Sequence, residues 1–182
     1  MAAPFSKEAN KMPNYDDSTS AMIADHILGL RVDRAISDLP WHGTASGVNT
    51  DDVAYFDIVG GKVLMTLMVG TITTVIEAAA NEITFSHDPS PSTGASAALN
   101  GVLDITAWAE GDILTINGLL TDALLPAVKA GSSHTMSYGG VVLVPGYIMC
   151  GASGHNTGAW KWSLWYFPLE EGAYVTAHAV PA

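Results

Sequence analysis

"TGAWKWSLWYFPLEEGAYVTAH" (Thr157–His178) holds three of the chain's five tryptophans, Trp160, Trp162 and Trp165. Alternate residues of a β-strand share a face. Read with that period, Trp160, Trp162, Leu164 and Tyr166 form one face, apolar throughout. Ala159, Lys161, Ser163, Trp165 and Phe167 form the other, which is small and polar at first and aromatic only near Pro168. Such a gradient describes a strand exposed on one side at its start that enters a covered region at its end. After the Pro168–Gly172 turn, Ala173, Val175 and Ala177 alternate with Tyr174, Thr176 and His178. The stretch is therefore expected to be a closing β-hairpin, with small residues packed across from large aromatics. A carbohydrate platform would want exposed aromatics beside Asn, Asp or Gln acceptors, and Lys161 and Ser163 are a poor supply. A membrane-facing stretch would want basic flanks, which are missing here.

The residues upstream extend the β reading. "VAYFDIV" from Val53, the pair Gly60-Gly61 and "KVLMTLMV" predict a hairpin, continued past a bend or bulge at Gly70 into "TITTVI". "NEITFSH", "GVLDIT", "DILTING", "HTMSYGGVVLV" and "GYIMCGAS" read as further strands, separated by Gly, Asp and Pro. "TDALLPAVKAG" stays ambiguous, because Pro126 would break a helix there. Short strands with frequent turns predict an all-β fold, an antiparallel β-sandwich or β-barrel spanning residues 53–182.

Residues 1–52 differ. They carry Pro4, Pro13 and Pro40, polar clusters and little alternation. "STSAMIADHILGL" (Ser18–Leu30) fits one short helix ended by Gly29, and "WHGTASGVNTDD" (Trp41–Asp52) reads as a loop. An extended N-terminal arm with at most one short helix is expected, either disordered alone or ordered against a neighbour. Its large apolar side chains Phe5, Tyr15, Ile27, Leu30 and Trp41 join Trp165 and Phe167 as candidate subunit or partner contacts.

Composition narrows the function. The 182 residues suit one domain with an appended arm. Charged residues are only 14% against 48% hydrophobic, too few charges to solvate a whole surface, which points to cover by other subunits. The net charge of −11 argues against nucleic-acid binding, which needs clustered Lys and Arg. The single cysteine, Cys150, allows neither an intramolecular disulfide nor a cysteine-rich zinc site. "VLMTLMVGTITTVI" is too short and too β-branched for a membrane-spanning helix, and the N-terminus has no signal-peptide core. No membrane role is expected, and synthesis in the cytoplasm is.

Motifs for catalysis are lacking. Cys150 ends an apolar strand, which suits a small buried hydrophobe better than a thiol activated by His155. The six histidines form no i, i+2 or i, i+4 pair. His87-Asp88 is the best adjacent pair and reads as ordinary surface polarity. "GASGHN" lacks the second glycine of a serine elbow. Asp16-Asp17, Asp51-Asp52 and Glu170-Glu171 fit caps, turns and a charged hairpin tip, since neighbouring carboxylates on a strand point to opposite faces. No enzyme activity, metal or cofactor is expected.

Three segments carry a resemblance: "GGKVLMTLMVGTITTVIEAAANEITFSH", "GVLDITAWAEGDILTINGLLTDAL" and "VVLVPGYIMCGASGHNTGAWKWSLWYFPLEEGAYVTAH". In this order, from Phe56 to His178, the chain resembles a group of small virion structural proteins of tailed bacteriophages. The ending has their general form of a strand, a "TG" turn, a "W-x-L-x-Y-x-PL" strand and "GA-x-V", with more tryptophan than that pattern. The resemblance implies a capsid decoration (cement) protein, made in the host cytoplasm and carried on the capsid surface. It further implies the major capsid protein as partner and a homo-oligomer, with a trimer favoured, or a related head or tail accessory. The competing expectation is a glycan- or host-binding module on the virion surface or tail.

Overall fold

A computed structural model of the chain describes residues 29–36, 53–91, 96–116, 125–127, 140–154 and 157–179, with the backbone alone for 125–127. Among these residues there is no helix, and twelve strands, numbered along the chain, form two antiparallel six-stranded sheets. Sheet A runs β1 (Leu30–Ile36), β11 (Ala159–Pro168), β3 (Val63–Thr74), β7 (Ile113–Thr115), β8 (Leu125–Ala127), with β9 (Val141–Leu143) also on β3. Sheet B runs β12 (Tyr174–Ala177), β2 (Val53–Val59), β10 (Gly146–Ala152), β4 (Glu82–Pro89), β5 (Ala97–Ala98), with β6 (Leu103–Asp104) also on β4. The sheets do not close into a barrel. Early and late strands interleave in each, and the chain repeatedly changes sheet, which is jelly-roll topology. Among the described residues β8, which carries Pro126, pairs with β7 alone, an edge position where a missing N–H is tolerated.

Two hairpins expected from the sequence are instead corners between the sheets. β2 pairs with β10 and β12, never with β3; β12 pairs with β2, never with β11. A positive-φ glycine serves a corner as well as a hairpin, and which strand lies alongside is decided by distant residues. The corners run side by side. Leu169 N donates to Lys62 O at 2.9 Å, and Glu170 accepts from both Lys62 N and Lys62 Nζ at 2.9 Å. Gly60 (φ 80°) admits this approach, for a Cβ there would lie 2.0 Å from the carbonyl oxygen of Gly172.

Two further expectations change. Leu30, read as the end of a helix, begins β1, which pairs with β11 along its whole length, so the sandwich starts before residue 53. Gly70 is no bulge. β3 passes straight through it, and its register irregularities lie opposite the Ala159/Trp160 and Trp165/Tyr166 steps. Glycine is needed at 70 because the Trp162 indole lies on the backbone there. A Cβ would fall 2.6 Å from Trp162 Cζ2.

The predicted inward face of β11 forms the centre of the core, with Trp160, Trp162 and Leu164 at 0% exposure and Tyr166 at 3%. Four rings join the sheets edge to face in a closed circuit: Tyr55 to Phe85 (5.5 Å), Phe85 to Trp162 (4.5 Å), Trp162 to Trp160 (5.6 Å) and Trp160 to Tyr55 (6.3 Å). Such pairs are worth about 0.5–1.5 kcal/mol each beyond area burial. Trp160 Nε1 donates to the Tyr55 hydroxyl at 3.0 Å.

One buried charge is structural. Sheet B carries a bulge in β2 where the register shifts opposite Ile148/Met149. Buried Arg34, from β1 in the other sheet, donates through Nη1 to Ala54 O (2.7 Å) and Tyr55 O (2.8 Å) in that bulge. Its guanidinium lies 5.1 Å from the Tyr55 ring centre. Burial lowers its pKa, with the Tyr55 and Asp57 oxygens opposing the shift.

Candidate functional site

The outward face of sheet A can be read row by row from the register. Phe167, Leu64 and Val142 stand side by side on β11, β3 and β9. Arg31, Trp165 and Leu67 make the next row, then Asp33, Ser163 and Val69. The gradient read along β11 therefore extends across strands. The end near Pro168 is apolar, with Phe167, Leu64, Trp165 and Leu67 half-buried and Val142 57% exposed. The opposite end is polar. Arg31 and Lys161 both pair with Asp33, at 2.8 and 3.1 Å, and the Ser163 hydroxyl donates to the same carboxylate. Burial raises the Asp33 pKa, but the bonds from Ser163, Arg31 and Lys161 outweigh it and hold the carboxyl below its usual value. Arg31 also lies over the Trp165 ring, 5.0 Å from its centre, a cation–π contact that limits that indole's exposure.

Of the contact residues expected from sequence, Trp165 and Phe167 thus share one surface. Leu30 stands apart on the rim, paired with Tyr166 and 45% exposed. Phe5, Tyr15, Ile27 and Trp41 lie outside the described residues, as does His155.

The candidates for chemistry resolve into structural roles. Cys150 is fully buried beside Tyr55, whose pKa burial raises well above its normal value. His87 is not surface polarity but an inward residue, 8% exposed, donating from Nε2 to Val144 O at 3.0 Å. Burial lowers its pKa against the opposing effects of Val144 and Asp88, which keeps it neutral near pH 7. Asp88, its neighbour, points outward, as strand alternation requires. Asn100 Oδ1 takes the Phe85 N–H at 2.7 Å on the β4 edge away from β10, in the gap between the β5 and β6 pairings. Among the described residues no three His, Cys, Asp or Glu side chains are grouped to hold a metal ion.

The outward face of sheet B holds a feature that sequence reading missed. Thr176, Asp57, Tyr147 and Asp88 stand side by side across β12, β2, β10 and β4. Just beyond, Val59, Pro91, Pro145 and Tyr147 wall a cleft of about 340 Å³ that Asp57 also lines. His178 Nδ1 donates to Asp57 Oδ1, and its ring meets Tyr147 edge-on at 5.8 Å. Val59 and Tyr174, a cross-strand pair, extend the apolar rim with 38% and 46% exposure. These residues come from four strands and the turns beside them, so only the pairing brings them together.

Charge divides between the sheets. The described strands of sheet B contain Asp57, Glu82, Asp88 and Asp104 and no Lys or Arg. Those of sheet A contain Arg31, Arg34 and Lys161 against Asp33 alone. No family model, curated protein or solved structure matches the chain.

Proposed function

We propose that the chain is a structural virion protein of the capsid-decoration type, binding as an oligomer, trimeric by preference, across the capsomers of a tailed-phage shell. The observation that carries this reading is the apolar end of sheet A, the row Phe167, Leu64 and Val142 with Trp165 and Leu67 behind it. A flat sheet face of this kind suits burial against another protein surface, its charged Arg31–Asp33–Lys161 end serving as a polar rim. The resemblance between Phe56 and His178 supplies the kind of partner, the major capsid protein. The function is then mechanical. A ligand bound only by the assembled, expanded shell stabilises it by mass action, by about 2.7 kcal/mol per site at a concentration 100 times Kd. The competing reading, a glycan- or host-binding module, draws no support from the tryptophan cluster, since Trp160 and Trp162 are interior.

The test is sedimentation of the purified protein with empty expanded shells of a tailed-phage major capsid protein. Saturable binding, a raised shell-disruption temperature, and loss of both with Val142→Asp are expected. That side chain is 57% exposed, so the substitution leaves the fold intact. No binding at any concentration would overturn the proposal.

A further inference from the structure

We infer that the cleft on sheet B is a docking site for a basic segment of a partner polypeptide, with an arginine or lysine side chain seated against Tyr147 and Asp57. This stands apart from the sheet A contact proposed above and uses the opposite face of the sandwich. Three observations favour a cationic occupant. First, the charge available to it is of one sign, because the described strands of sheet B carry carboxylates and no Lys or Arg. Second, Asp57 and Asp88 both keep oxygens open to a further donor. His178 takes one oxygen of Asp57 and fixes the carboxylate's orientation, while no described residue bonds its other oxygen or the Asp88 carboxylate. Third, the walls match a long basic side chain. Val59, Pro91, Pro145 and Tyr147 line it and present apolar surface for its methylenes.

The register also sets a spacing. Asp57 and Asp88 flank Tyr147 on neighbouring strands, so they stand about 10 Å apart, two inter-strand steps. A peptide in the polyproline II conformation rises about 3.1 Å per residue with about three residues per turn, so side chains three apart share a face about 9 Å apart. The expected occupant is a segment with basic residues three apart, laid across the strands of sheet B.

The test titrates the full chain with a capped nonapeptide of three Arg-Gly-Gly repeats, followed by backbone NMR shifts. The control replaces each arginine by citrulline, which keeps shape and removes charge. Expected are saturable shifts centred on Asp57, Val59 and Tyr147, absent with citrulline and weakened by raising NaCl from 50 to 300 mM. Asp88→Asn, at a side chain with no described bond, should weaken binding about tenfold, as loss of one charged contact does. Asp57→Asn should do the same and also release His178. Unfolding temperature is measured for each variant, and Asp88→Asn keeps the test valid if Asp57→Asn disturbs the fold. Equal binding of the citrulline peptide, or no binding by either, would overturn the inference. So would saturation of the cleft by a neutral oligosaccharide in preference to the peptide. Concentration-dependent self-association abolished by Asp88→Asn would assign the cleft to a second copy of this chain and equally overturn it.

Discussion

Replacing Gly70 by alanine puts two opposed effects on one atom. Gly70 has no positive φ, so by backbone criteria alone alanine should stabilise, by about 0.4–1 kcal/mol, through loss of unfolded-state freedom. The structure predicts the reverse. The new methyl would lie 2.6 to 2.8 Å from three atoms of the Trp162 ring. That ring cannot retreat, because Phe85 stands 4.5 Å and Trp160 5.6 Å from it, centre to centre. Overpacking of this kind costs about 1–3 kcal/mol, leaving a net loss of about 1–2 kcal/mol. For a chain of this length that lowers Tm by about 2–8 °C. The assay is urea unfolding followed by far-UV circular dichroism, on the wild type, Gly70→Ala, Trp162→Phe and the double variant. Trp162→Phe opens space above residue 70, so the methyl should be accepted in the double variant, with a coupling of at least about 1 kcal/mol. A stabilising Gly70→Ala, or strict additivity, would refute the account of why glycine stands there.

Two more predictions concern buried polar groups. Arg34→Met removes the donor to Ala54 O and Tyr55 O, and should cost about 2–4 kcal/mol with faster amide exchange around the β2 bulge; unchanged stability would show that water serves those carbonyls equally well. His87 has a folded pKa below its ordinary 6.5, so the unfolded chain binds more protons just below that pH. Stability should therefore be complete above pH 6.5 and fall as pH drops from there to the folded pKa. The urea midpoint measured from pH 8 to 5 should show this slope, and His87→Gln, which can still donate to Val144 O, should reduce it. An identical slope in the variant would assign the titration elsewhere.

How much of this was legible in the sequence depended on whether the signal was local. Period-two alternation on β11 correctly separated Trp160, Trp162, Leu164 and Tyr166 from Trp165 and Phe167, since facing is a property of one strand. β1 was overlooked for a specific reason. Leu30, Val32 and Ile36 keep the alternation, but inward position 34 is an arginine, and the pattern breaks there. That arginine makes sense only once the bulge it caps, on a strand of the other sheet, is known. His87 failed likewise, because the carbonyl that it bonds, that of Val144, is distant in sequence. The cleft was invisible on the same grounds: Asp57, Tyr147 and Asp88 are unremarkable singly and become neighbours only through β2, β10 and β4.

The two misread corners show what decides between a hairpin and a crossing. Their local chemistry does not. The Lys62–Glu170 pair that joins them is exposed, 51% and 46%, and such pairs contribute about 0–1 kcal/mol. Burial does decide it. β11 already has both edges occupied, by β1 and β3, so a hairpin return of β12 could form only by displacing one of them. Crossing to sheet B instead gives β12 the free edge of β2, where Val175 turns inward and is 4% exposed. The same holds at Gly60-Gly61. β2 is flanked by β10 and β12, β3 by β11 on one side and by β7 and β9 on the other. In each case the turn permits the crossing, and occupied strand edges leave the chain no other place to go.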